Sequence, residues 1–166
     1  MKMQKHIKGR GAQSKIHNRF SENQHEIRDD FMNYCLEQGD QIGNIKTTFI
    51  ETFPKTIVNK VTSPDVVMMY SLNPYQGCEH GCVYCYARNS HEYWGYGAGL
   101  DFESKILVKK NAAALLEKKI QHKKWEACPI SLSGNTDCYQ PIEKQLKITR
   151  NLLKVFLKYK HPVGII

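Results

Sequence analysis

The sequence predicts an α/β fold built on parallel strands, and three observations carry that prediction. Two short segments read as buried strands: Val66–Met69, a continuous apolar run as expected of a strand covered on both faces, and Ile130–Ser133 after Pro129. A third apolar run opens at Val163. Between successive runs lie segments with apolar residues spaced three and four apart, the period of a helix. Strand, helix, strand, helix, strand in that order implies crossover connections in a parallel sheet.

Residues 1–62 read as an N-terminal extension and 63–166 as the α/β unit. In the extension, Gly9, Arg10 and Gly11 make a flexible basic stretch. Asp29 is placed to start a short helix through Phe31, Tyr34 and Cys35 that ends near Gly39. Thr47–Phe53 is rich in Thr, Phe and Ile and predicts a strand. Pro54 interrupts it, and extended character resumes over Thr56–Val61. After the Val66–Met69 strand, Leu72–Cys85 reads as a loop, punctuated by Asn73-Pro74, Gly77 and Gly81. A helix is expected to begin near Tyr86, followed by a glycine- and aromatic-rich loop over His91–Gly99. Ile106–Val108 is extended.

Asn111 is a suitable N-cap for a helix with Ala112, Leu115, Leu116 and Ile120 on one face. Pro129 precedes the strand Ile130–Ser133, and Gly134–Gln140 is its exit loop. Pro141 suits the first turn of a helix that presents Ile142, Leu146, Thr149, Leu153 and Phe156, with lysines opposite. Pro162 ends that helix, and Val163–Ile166 opens the third strand. A third parallel strand with no helix after it predicts that these residues are the first part of a longer protein. The alternative is a small complete sheet of three parallel strands.

Composition narrows the class of function. The chain has 166 residues, 41% hydrophobic and 24% charged, which suits a globular domain. Its formal charge of +8 is compatible with polyanionic partners and does not demand one. No run approaches the ~18 apolar residues of a membrane-spanning helix, so no membrane partner is expected. The opening MKMQKHIKGRGAQSK lacks the apolar core of a secretory signal, which predicts a cytoplasmic protein with reduced thiols.

Six cysteines are too few for a disulfide scaffold, yet three of them cluster: Cys78, Cys82 and Cys85, spaced C-x3-C-x2-C. Scattered placement would almost never give that triplet, and the intervening Glu79, His80 and Gly81 do not read as core. Three thiolates suit zinc or an iron–sulfur cluster. Structural zinc calls for a fourth ligand, which His80 could supply at an unusual spacing. A [4Fe–4S] cube held by three cysteines keeps one iron open to a further ligand. Gly77 and Gly81 allow close backbone approach, and Tyr84 sets an aromatic ring beside the site. The triplet follows a strand, and ligands of parallel α/β folds sit at strand C-terminal ends.

The triplet, with an aromatic residue before its last cysteine, resembles the signature of radical S-adenosylmethionine enzymes. The longer SLNPYQGCEHGCVYCYAR is similar to the branch containing DNA repair photolyases and spore photoproduct lyase, as are TDCYQPIEKQLKITR and the N-terminal GRGAQ. The resemblance implies a partial (β/α) TIM-like barrel that stops after the start of its third strand. It implies a [4Fe–4S] cluster on Cys78, Cys82 and Cys85, with S-adenosylmethionine chelating the fourth iron. One electron from a flavodoxin- or ferredoxin-like donor would then cleave the cofactor to methionine and a 5′-deoxyadenosyl radical, which abstracts hydrogen from a substrate. Nucleic acid is the substrate class implied by the branch. Tyr84 would lie against the adenine, largely through its backbone. Ser133, Gly134, Asn135, Thr136 and Asp137, in the exit loop of the second strand, would receive the methionine ammonium. Family contacts to ribose and adenine come from fourth and fifth strands, which these 166 residues do not include.

Other residues have two readings. Cys138, in the same exit loop, is either a thiol that returns hydrogen to a substrate radical or an ordinary loop thiol. Cys35 and Cys128 read as small buried residues. His91, Tyr93, Trp94 and Tyr96 form a loop that either stacks on bases or packs over its own fold. Lys118, Lys119, Lys123 and Lys124 read as a solvated helix face. The competing function is a zinc- or cluster-stabilised nucleic-acid-binding module without catalysis, with the basic N-terminal arm as its contact.

Overall fold

The computed structural model describes residues 7–22 and 45–166. The helix expected over Asp29–Gly39, with Cys35, lies outside the described residues.

A four-stranded sheet organises the α/β part. Its strands are β2 (Val58–Lys60), β3 (Tyr70–Leu72), β6 (Ile130–Leu132) and β7 (Val163–Ile165), in the order β2-β3-β6-β7. The last three are parallel, with Leu72 opposite Leu132 and Leu132 opposite Ile165. β2 lies antiparallel on β3. Leu72, Ile130 and Leu132 are completely buried, as apolar residues of parallel strands should be. A second sheet joins β1 (Thr48–Thr52), β5 (Lys105–Lys109) and β4 (Tyr75–Gln76). β1 runs parallel to β5, and β4 runs antiparallel to it. Among the described residues the two sheets stay open and do not close a barrel.

The buried strand before the cysteines lies later than expected. Val66–Met69 is not a strand: a turn at Pro64–Asp65 precedes it, Val67 is fully exposed, and Met69 is more than half exposed. Strand pairing starts at Tyr70, where Ser71 sits between two residues that pack inward. Tyr70 meets Trp125 edge-on at 4.8 Å between ring centroids. The segment expected to be pure loop also contains β4, which pairs with β5 at Tyr75 and Gln76.

Helix α2 (Ala112–Ile120) buries Ala112 and Leu116 and packs Leu115 and Ile120 against the core, the face expected from the sequence. Asn111 precedes it without capping it; its amide donates instead to the Pro54 carbonyl at 3.0 Å. The single helix expected after Pro141 is two: α3 (Glu143–Leu146) and α4 (Ile148–Lys158). They are split at Lys147, which takes the left-handed conformation with φ of 53°. The Glu143 carboxylate explains why the split is tolerated. It accepts the backbone N–H groups of Thr149 (3.0 Å) and Arg150 (3.1 Å), orphan donors at the start of α4, and the Tyr75 hydroxyl. Burial, then the bond to Glu143, push the Tyr75 phenol well above its ordinary range.

Helices α2 and α4 pack on each other. With β3, β5 and β6 they enclose one apolar core that includes Leu72, Tyr75, Ile106, Leu116, Ile130, Leu132, Leu152 and Phe156.

Candidate metal centre

The cysteine loop leaves β4 through Gly77, where φ is +83°. A Cβ there would stand 2.8 Å from the Phe102 carbonyl oxygen, so the position excludes a side chain on both conformation and space. One residue later the Cys78 N–H donates to that same carbonyl at 3.0 Å. Gly81 provides the second left-handed turn, at φ +65°. The Cys85 N–H closes a turn onto the Cys82 carbonyl at 3.2 Å, and a 3-10 helix over Tyr86–Trp94 starts immediately after. Arg88 on that helix donates to the Cys82 carbonyl from Nε (3.2 Å) and Nη2 (2.9 Å). Cys78 is buried beside Ala87 and Phe102, and Cys85 packs against them half-buried.

Cys78, Cys82 and Cys85 share a cavity of about 600 Å³ with the exit loop of β6. That volume lies in the range of small-molecule sites, ~300–1,000 Å³. The far wall is Ser133, Gly134, Thr136 and Asp137, and Ile166 joins them just beyond β7. Ser133 and Ile166 directly follow parallel strands, so the cavity opens at their C-terminal ends.

Hydrogen bonds stitch the two walls together. Thr136 Oγ1 donates to the Gly77 carbonyl at 2.7 Å, and Gln140 Nε2 reaches the same oxygen at 3.3 Å. The Tyr86 hydroxyl donates to the Gly134 carbonyl. His80 Nε2 lies 2.9 Å from Asp137 Oδ2. Ser133 holds φ at +84°, unusual for a residue with a Cβ, and its hydroxyl donates to the Thr136 carbonyl.

The donor set was weighed against two metals. Burial pushes the Cys78 thiol above its ordinary pKa, so its thiolate is disfavoured until a cation compensates the charge. A mononuclear ion needs its ligands to converge on one point, and among the described residues no three His, Cys, Asp or Glu side chains do so. A cube assigns each thiolate to a separate iron and so does not need three side chains to meet at one point. Three thiolates on one cavity suit the donor chemistry of an iron–sulfur cluster or of zinc.

The sequence-derived residues divide accordingly. Cys78, Cys82, Cys85, Ser133, Gly134, Thr136 and Asp137 come together, as does His80. Asn135 is exposed and is not among the cavity walls; its N–H donates to Asn73 Oδ1 at 2.9 Å. The Tyr84 ring is exposed and does not line the cavity, where Tyr86 supplies the aromatic wall instead. Cys138 is fully buried in the main core with its carbonyl bonded to Thr149 Oγ1, and burial raises its thiol pKa. Packing therefore keeps this thiol off the cavity wall. His91 is also buried, against Phe102 and Tyr96, so the aromatic loop packs on its own fold at that point. Tyr86, directly after the last cysteine, is a cavity residue that no sequence pattern singles out.

No family model matches the chain, and no solved structure matches it. An uncharacterized protein of Mycobacterium tuberculosis (strain H37Rv) is 33% identical over 120 residues, which is 72% of this chain and 35% of that protein. An uncharacterized protein of Mycobacterium bovis matches over the same share. An uncharacterized protein of Methanocaldococcus jannaschii is 37% identical over 111 residues, 67% of this chain and 39% of that protein. The chain thus spans between 35% and 39% of the length of these curated relatives.

Proposed function

We propose that this chain carries the cluster-binding part of a radical S-adenosylmethionine enzyme. Cys78, Cys82 and Cys85 would hold a [4Fe–4S] cluster, and the adjoining cavity would take the methionine end of the cofactor. The observation that supports this most is the meeting of the three cysteines with Ser133, Gly134, Thr136 and Asp137 around one cavity at the ends of parallel strands. The sequential parallel order β3-β6-β7 is what the first strands of a (β/α) barrel require, and the barrel is part of the proposal.

When bound, such a cluster supplies one electron that cleaves the cofactor to methionine and a 5′-deoxyadenosyl radical. The chain's own residues would do the rest. Gly77 and Gly81 bring the backbone close to the sulfur ligands, and Arg88 fixes the Cys82 peptide. Asp137, oriented by His80, presents a carboxylate to the cofactor ammonium. Ile166 and Ala87 supply apolar wall to the cavity. An external flavodoxin- or ferredoxin-like donor would deliver the electron.

Anaerobic reconstitution with iron and sulfide tests the reading. We expect a brown protein with about four irons per chain, and loss of most of that iron in Cys78→Ala, Cys82→Ala and Cys85→Ala. A colourless protein holding one zinc on the same thiols would replace this reading with the non-catalytic one.

A further inference from the structure

The cysteine loop has a rear side, and residues from the N-terminal segment cover it. Glu103, at the end of α1 (Leu100–Ser104), is completely buried. Its carboxylate accepts the backbone N–H groups of Gly11 (3.0 Å) and Ala12 (2.8 Å) and pairs with the Arg88 guanidinium. Arg10 donates to the Glu103 carbonyl, to the Ile45 carbonyl and, at 2.9 Å, to Thr47 Oγ1. The contacts from Arg10, Gly11 and Ala12 to Glu103 join residues some 90 positions apart in the chain.

The approach is too close for side chains. A Cβ on Gly11 would stand 1.8 Å from the Gly81 carbonyl oxygen, between the first two cysteines. A Cβ on Gly99 would stand 2.5 Å from the Ser14 oxygen, and one on Gly97 2.1 Å from the Ile16 oxygen. The far end is pinned by the buried Asn18, whose amide donates to the Glu92 and Tyr96 carbonyls at 2.8 and 3.1 Å.

We infer that residues 10–18 form a strap that locks the cysteine loop in its ligating shape, with Glu103 and Arg88 as positioning residues acting through the Cys82 peptide. The line of contact is continuous: strap N–H groups to Glu103, Glu103 to Arg88, Arg88 to the Cys82 carbonyl. A buried carboxylate so engaged resists withdrawal of any one partner, because the others would be left unpaired. Docking of the strap stands on these contacts alone; the effect on the cluster rests on the function proposed above.

The test uses the full chain with Gly11→Ala, Glu103→Gln and Arg88→Lys, and Lys154→Ala on the exposed face of α4 as control. In the metal-free protein, trypsin cleavage after Arg10 should be on the order of tenfold faster in Gly11→Ala and Glu103→Gln than in wild type, because cleavage tracks undocking. In the reconstituted protein, iron release to a chelator should accelerate by a similar factor in both. Arg88→Lys keeps the charge and loses the fork. It should shift the cluster's reduction midpoint, a spectroscopic signature that a loss of stability alone would not produce. Lys154→Ala should match wild type throughout.

Equal cleavage after Arg10 in wild type, Gly11→Ala and Glu103→Gln would overturn the strap. Faster cleavage with unchanged iron release and an unchanged reduction midpoint would overturn the positioning role. A wild-type protein that takes up no iron sinks the cluster reading and the positioning role with it, and the cleavage measurement still decides the strap. If circular dichroism shows Gly11→Ala unfolded, Glu103→Gln and Arg88→Lys decide.

Discussion

His80 and Asp137 face one another across the cavity at 2.9 Å, each side chain more than 40% exposed. A contact so open to water is worth about 0–1 kcal/mol, so its significance is orientation rather than stability. Three cysteine ligands leave His80 outside the proposed iron set. His80→Ala should therefore keep the iron that each cysteine variant loses, as read by metal analysis after reconstitution. Loss to the level of the cysteine variants would make His80 the fourth ligand and close the open iron. Cys138 gives the complementary case. Truncating this core thiol to Ala should cost about 1 kcal/mol in denaturant melts and leave cluster content unchanged. Unchanged stability with loss of 5′-deoxyadenosine-dependent product would restore it as a hydrogen donor. Among the described residues neither ring nitrogen of the buried His91 has a hydrogen-bond partner, and desolvation lowers its pKa from 6.5 to about 4. Between those values the unfolded chain binds more protons than the folded one, so stability rises with pH across the window. It is fully present above about pH 6.5 and falls toward pH 4, by on the order of 3 kcal/mol. Urea midpoints at pH 4.5 and 7 should show that slope, and His91→Leu should flatten it.

At the scale of elements, the α3–α4 junction is where sequence periodicity misled. Ile142, Leu146, Thr149, Leu153 and Phe156 keep helical spacing straight through Lys147, and neither Gly nor Pro marks the break. The break is held by the Glu143 carboxylate, which caps Thr149 and Arg150 and takes a further partner, Tyr75, 68 residues away. Lys147 pays for its left-handed φ with Cβ crowding, so Lys147→Gly should raise the unfolding free energy by about 0.5–1 kcal/mol in thermal or denaturant melts. A loss of stability would show that the lysine side chain contributes more than its backbone costs. Other elements were legible for identifiable reasons. β6 follows Pro129 and sets two buried apolar residues, Ile130 and Leu132, on either side of Ser131, and α2 carries its apolar face over two full turns. Val66–Met69 is more apolar still, yet four residues without a partner strand or a covering helix do not specify burial. Two-residue β4 lies below any periodic signal.

For the whole molecule, what was readable and what was not follow from range. The cysteine triplet is legible because its three thiols lie within one short loop, where a local pattern can be read directly. The exit loop of β6 stood out because strand ends gather ligands. The strap did not, because its contacts with Glu103 span more than 90 residues and leave only glycines as a trace. It also changes the reading of the basic N-terminus: Arg10 and Arg19 are engaged within the fold, Arg19 with Glu92 at 2.9 Å, and are not spare charges for a polyanion. Among the described residues no helix is long and apolar enough to cross a membrane. The most direct test of the central claim is the electron paramagnetic resonance spectrum of the dithionite-reduced, reconstituted protein, recorded with and without S-adenosylmethionine, in the chain and in a full-length relative. An iron left open by Cys78, Cys82 and Cys85 predicts a spectrum whose g-values change when the cofactor is added. A reduced cluster whose spectrum is indifferent to the cofactor in both proteins would contradict it.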